Sequence, residues 1–158
     1  MTFQPGKVYV FALNEVDIPG VGFQTQKGIA LPPTYLVFRT EGNLRAEDAP
    51  PRVLGTSPPN GAQDVNPVAS KGVVVSFDRF MATGKHGLHL WENERPVDLR
   101  ATKFTYSADG KIFTLNYQLK PSTHYEVRMN STDDIGFTAT NRVPLWPYRF
   151  LFVTGQPH

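Results

Sequence analysis

Short runs in which apolar and polar residues alternate recur along this chain, and turn residues separate them. Seven lie between Pro51 and Thr154: RVLGTS, GVVVSFD, GLHLW, RATKFTYS, KIFTLNY, HYEVRMN and YRFLFVT. Alternation with a period of two marks half-buried strands, because successive side chains leave opposite faces of the pleat. In HYEVRMN the inward set is then Tyr125, Val127 and Met129, with His124, Glu126 and Arg128 outward; in YRFLFVT it is Tyr148, Phe150 and Phe152. Asp109-Gly110 between two such runs is the best hairpin signal. No window has the i, i+3, i+4, i+7 spacing of a helix, and the only helical turn expected lies around Met81 to Lys85. Seven short strands and abundant Pro and Gly predict an all-β, immunoglobulin-like sandwich, with Val75, Phe77, Leu115, Tyr125, Val127, Phe150 and Phe152 in its core.

One pattern occurs twice. Laying Pro5 on Pro121 brings Tyr9 onto Tyr125, Phe11 onto Val127, Leu13 onto Met129 and Asn14 onto Asn130. Pro33 then falls near Pro147, Leu36 near Phe150, Phe38 near Phe152 and Thr40 near Thr154, once a two-residue difference is placed in the loop, where insertions are tolerated. Residues 1–44 are therefore read as the C-terminal hairpin fragment of a preceding Ig-like domain, and residues 45–158 as a complete sandwich. The fragment's second face carries Val8, Val10, Tyr35 and Val37 where the later copy has His124, Glu126, Arg149 and Leu151. An isolated hairpin is not stable in water. It is expected to be ordered by borrowing a partner surface, either the sandwich in the same chain or a second chain, with a homodimer through residues 1–44 favoured by its apolar edge.

The stretches PPRVLGTSPPNGAQDV, GVVVSFDRFM, SADGKIFTLNYQLKPSTHYEVRM and YRFLFVTG together resemble the bacterial Ig-like domain of the SbsA type, over about Ala49 to Gly155. Phe77 and Met81 stand at the strand-end positions of that pattern, and Leu119, Pro121, Thr123 and Tyr125 form its strand entry. The chain departs from it at Phe80, where a Pro commonly precedes the Met, and at Phe137, which follows Gly136 in place of an Asn. The resemblance implies a structural or adhesive module of a surface-layer or other exported protein, and no catalyst.

Composition removes several other classes. Cysteine is absent, so disulfides, thiol nucleophiles and Cys-based zinc sites are excluded. Sixteen basic residues against fourteen acidic ones, spread singly, leave a net charge of +2 and no nucleic-acid footprint. The longest apolar runs, VYVFAL and FLFV, fall far short of the roughly 20 residues that span a bilayer, and the first residues lack the form of a signal peptide. Any export signal is expected outside this stretch.

Candidate chemistry is sparse. His86 and His89, three apart on a strand, face opposite sides and cannot converge on a metal, so they read as surface histidines. The His and Met cluster of copper carriers is missing near the N-terminus. Asp133 and Asp134 supply too few oxygens for calcium and read as turn-capping residues. Asn130-Ser131-Thr132 matches a glycosylation acceptor. No Gly-x-Ser-x-Gly elbow gathers Ser, His and Asp. No catalytic, cofactor or metal residue is assigned. Trp91, Trp146 and Tyr148 form a candidate surface for a glycan, against a reading in which Trp146 covers one end of the core. The expected function is a spacer, adhesion or structural module of a larger cell-envelope or extracellular protein, with neighbouring Ig-like domains as partners. A carbohydrate- or ligand-binding accessory domain of a secreted enzyme is the alternative.

Overall fold

The computed structural model describes residues 2–14 and 22–157. A separate hairpin comes first, formed by β1 (Val8–Leu13) and β2 (Thr34–Arg39). After one turn of 3-10 helix (Ala46–Asp48) follow β3 (Val53–Ser57), β4 (Ala62–Val65), β5 (Val73–Phe77), β6 (Leu88–Glu92) and β7 (Arg95–Pro96). The chain continues with β8 (Phe104–Tyr106), β9 (Ile112–Leu115), β10 (His124–Met129) and β11 (Tyr148–Thr154). One sheet has the order β4-β11-β10-β6-β7 and the other the order β3-β5-β9-β8. Their inner faces share one core, in which Val73, Val75, Phe77, Phe113 and Leu115 meet Leu88, Leu90, Tyr125, Val127, Phe150 and Phe152. This is the all-β, Ig-like sandwich that the alternation predicts, and all seven predicted core residues are buried.

Aromatic packing supplies much of the cohesion. Tyr125 stacks on Phe152 with ring centroids 5.0 Å apart, and Phe113 meets Phe137 edge-on at 5.0 Å. Such pairs contribute about 0.5–1.5 kcal/mol beyond the area they bury. Phe137, the residue that departs from the family pattern, is fully buried. Asp109-Gly110 lies in the β8–β9 turn, where Gly110 adopts φ +64° and a Cβ would stand 2.9 Å from the Met81 carbonyl oxygen.

Three expectations are corrected. The segment from Met81 to Lys85 is not helical. Met81 bridges Ala139, and its N–H donates to the Gly110 carbonyl, so the chain crosses here in extended form. Between the runs RVLGTS and GVVVSFD, where turn residues are expected, Ala62–Val65 is a short strand that pairs parallel with β11. Its two apolar positions flank polar Gln63 and Asp64, too short a run to register as alternation. Finally, His86 is not a surface histidine: it precedes β6 and packs half-buried against the rings of Phe104, Phe113 and Phe137.

The hairpin rests on one end of the sandwich. The Tyr35 N–H donates to the Thr132 carbonyl, the Lys7 ammonium pairs with Asp48, and the Asn141 amide donates to the Glu47 carbonyl beside it. Val10, Pro33 and Tyr35 look across a cleft at Ala82, Ile135 and Arg142.

Candidate functional site

The two hairpins share a polar skeleton. Tyr9 pairs with Phe38, and Phe11 with Leu36, as Tyr125 pairs with Phe152 and Val127 with Phe150. Asn130 and Asn14, each at φ +54°, end the first strand of their copy. The Asn130 amide donates to the Phe137 and Leu145 carbonyls at 2.9 and 2.8 Å, and its Oδ1 accepts the Phe137 N–H at 2.9 Å. Asn14 makes the same three bonds to Phe23 and Leu31, at 2.7, 2.7 and 2.6 Å. At the opposite end, the Thr154 hydroxyl accepts the Thr123 N–H and donates to the Lys120 carbonyl. Thr40 does the same with Lys7 and Gln4. The Tyr125 and Tyr9 hydroxyls each accept a backbone N–H, from Lys120 and Gln4, at 2.7 Å.

Burial separates them. Asn130 is buried, so the acceptor pattern Asn130-Ser131-Thr132 presents no free amide. Phe150 is fully buried, while its counterpart Leu36 is 58% exposed.

A second polar centre sits on β6. Glu92 Oε1 accepts the Tyr117 and Tyr125 hydroxyls at 2.7 and 3.1 Å, and Oε2 pairs with the Lys120 ammonium. Burial pushes this carboxyl up, but the bonds from Lys120, Tyr117 and Tyr125 outweigh it and hold it below the usual carboxylate range. Burial, with the neighbouring carboxylate, pushes the Tyr125 hydroxyl up to about 12. Glu92, Tyr117 and Lys120 line an open cleft with Arg95 and Val97. The arrangement ties β6 to Tyr117 and Lys120 ahead of β10 and to Tyr125 on β10.

His86 packs among aromatic rings ahead of β6, while His89 stands on β6 itself. His89 Nε2 lies 3.0 Å from Asp134 Oδ2, while Asp134 Oδ1 accepts the Gly136 N–H and Asp133 accepts the Ser131 hydroxyl. Both aspartates thus close the β10–β11 loop, as turn-capping residues do. Among the described residues no three His, Asp or Glu side chains converge as metal ligands.

The aromatic trio is not gathered. Trp91 pairs with Glu126 on the outer face, where the Arg128 guanidinium lies 4.2 Å from its ring. Tyr148 belongs to the inner face beside Phe150. Trp146 is 43% exposed, and it is Leu145, not Trp146, that covers the core. Glu92 and Asn130 were not singled out from the sequence for these roles. For Asn130 the signal was present, because both copies end their first strand on Asn.

No curated protein matches this chain. The bacterial Ig-like domain family matches residues 47–154, which is the whole sandwich from the 3-10 turn to the end of β11. Domains of this family are generally non-catalytic and occur in exported bacterial proteins. Among the described residues no helix is long and apolar enough to cross a membrane. Sheet order, core and family match agree, and the chain belongs to the bacterial Ig-like domain family.

Proposed function

We propose that this chain is a non-catalytic Ig-like module of the SbsA type, acting as a spacer, adhesion or assembly element of a larger exported or cell-surface bacterial protein. The pairing of β4 with β11 supports this reading best. Chain enters the sandwich at Pro51 and leaves it at Gly155, and close to those points the two strands run parallel. The Gly61 N–H donates to the Leu151 carbonyl, the Gly155 N–H to the Val65 carbonyl, and the Leu151 N–H to Asn60 Oδ1. Tension between the ends loads these bonds together, in shear, which suits a module that transmits load between neighbouring Ig-like domains.

Single-molecule extension of the full chain tests it. The expected record is one discrete release for the sandwich, with a lower rupture force in Asn60→Ala. Gradual extension at low force would remove the load-bearing role. A glycan array discriminates the carbohydrate-binding alternative, which needs a gathered aromatic surface; specific binding lost in Trp91→Ala or Trp146→Ala would favour it.

A further inference from the structure

The apolar face of the first hairpin is an interaction surface, and the same molecule contains a filled example of it. Phe3, Tyr9, Phe11, Leu13, Leu36 and Phe38 lie on that face. Their counterparts Leu119, Tyr125, Val127, Met129, Phe150 and Phe152 are all buried, covered by side chains of β5, β6 and β9. In the filled copy β6 pairs with the outer edge of β10 and β4 with that of β11. In the first hairpin, both corresponding edges lack a strand among the described residues.

We infer that this face and these two edges take the first strands of another Ig-like domain, a segment with the pattern of residues 47–118, and that the hairpin completes a second sandwich with it. The inference rests on the family reading above. Two hairpins meeting face to face would cover the rings but leave both edges without a neighbouring strand, which is why a half-sandwich is the better occupant. The core residues fit the same space. Val127 and Phe150 are opposite one another, and in the first hairpin the large and small residues change places as Phe11 and Leu36. Such a crossed exchange nearly conserves volume, the condition under which a core accepts substitution. The Tyr9 hydroxyl accepts the Gln4 N–H, as Tyr125 accepts that of Lys120, but Tyr125 also donates to Glu92. The occupant is therefore expected to bring a carboxylate to the position that Glu92 holds in the intact sandwich.

Two experiments test this on the full chain. In the first, residues 47–118 are fused directly ahead of Phe3, which aligns with Leu119. Amides of β1 and β2 are expected to exchange at least about 100-fold more slowly than in the unfused chain, with the product monomeric. Unchanged exchange would overturn the inference. In the second, Val127→Phe, Phe150→Leu and the double variant are compared by thermal unfolding. The Phe substitution overpacks the core and the Leu substitution leaves a void, so the double variant is expected to melt well above the sum of the two losses. Additive losses would overturn the proposed fit. Neither readout depends on load bearing or glycan binding, so failure here is distinguishable from failure of the functional reading.

Discussion

The hairpins β1–β2 and β10–β11 have the same register and the same Asn, Thr and Tyr hydrogen bonds, yet one is an exposed flap and the other the centre of a core. The difference lies in what surrounds them. Local polar bonds between a strand end and its loop fix the hairpin's shape, whereas burial comes from strands far away in the chain. Hydrogen bonds to water replace most of what an exposed network contributes, so the same bonds should matter much more in the second copy.

The largest expected contrast is between Phe152→Ala and Phe38→Ala. Phe152 is stacked between Tyr125 and Phe150, and its loss should cost about 3–5 kcal/mol in denaturant unfolding of the sandwich. Phe38 meets the rings of Phe3, Tyr9 and Phe11 on its own flap, and its loss should change that transition by about 0.5 kcal/mol or less. Equal effects would mean that the first hairpin is part of the same cooperative unit. Next come Asn130→Ala and Asn14→Ala. Removing the Asn130 amide takes the partner from the buried Phe137 N–H and from the Leu145 carbonyl, while the Phe137 carbonyl keeps the Leu145 N–H, with an expected loss of about 2–4 kcal/mol. The Asn14 bonds are solvent-accessible, so Asn14→Ala should leave the sandwich transition in place and only speed amide exchange at Phe23, whose N–H the Asn14 Oδ1 accepts.

This comparison also shows what could be read from the chain alone. The repeat, the inward sets of β10 and β11 and the core aromatics follow from alternation, because each strand's face is written locally in its own residues. The parallel β4–β11 pairing is not: Ala62 and Val65 gain their meaning from Phe152 and Thr154, about ninety residues on. His86 was misread for a related reason. A polar residue before a strand looks solvent-facing until Phe104, Phe113 and Phe137 arrive from three other segments. The trio of Trp91, Trp146 and Tyr148 is near in the fold's sheet order but divided between faces, and face assignment across a strand end depends on where pairing stops.

Strand β6, for which the first hairpin has no equivalent, sharpens the comparison further. Glu92→Gln keeps the shape of the Tyr117 and Tyr125 contacts but removes the charge that Lys120 and both hydroxyls stabilise, at an expected cost of about 1–3 kcal/mol near neutral pH. The carboxyl's folded pKa lies below its unfolded value, so its contribution is present above about pH 4.3 and is lost as pH falls through the folded value. Parent and variant should therefore converge in melting temperature on acidification. A constant difference down to about pH 2 would show that the charge contributes nothing.

The smallest effect separates two histidines on either side of β6's start. Burial among aromatic rings lowers the pKa of His86, whereas the Asp134 carboxylate raises that of His89. His86 therefore favours the folded state above its unfolded pKa of about 6.5, and this contribution is lost as pH falls. His89 has the opposite sign: its contribution is full below about 6.5 and is lost as pH rises through the higher folded value. In the parent protein the two slopes oppose each other across the neutral range. His89→Gln removes the charge of His89, which itself acts on His86, but keeps the burial that is the main cause of the His86 shift, so the variant's melting temperature should fall more steeply than the parent's between about pH 7.5 and 5.5. His86→Phe should do the reverse, losing stability as pH rises across the same window, because only the His89–Asp134 pair then titrates. If both variants follow the parent's profile, neither histidine is linked to folding.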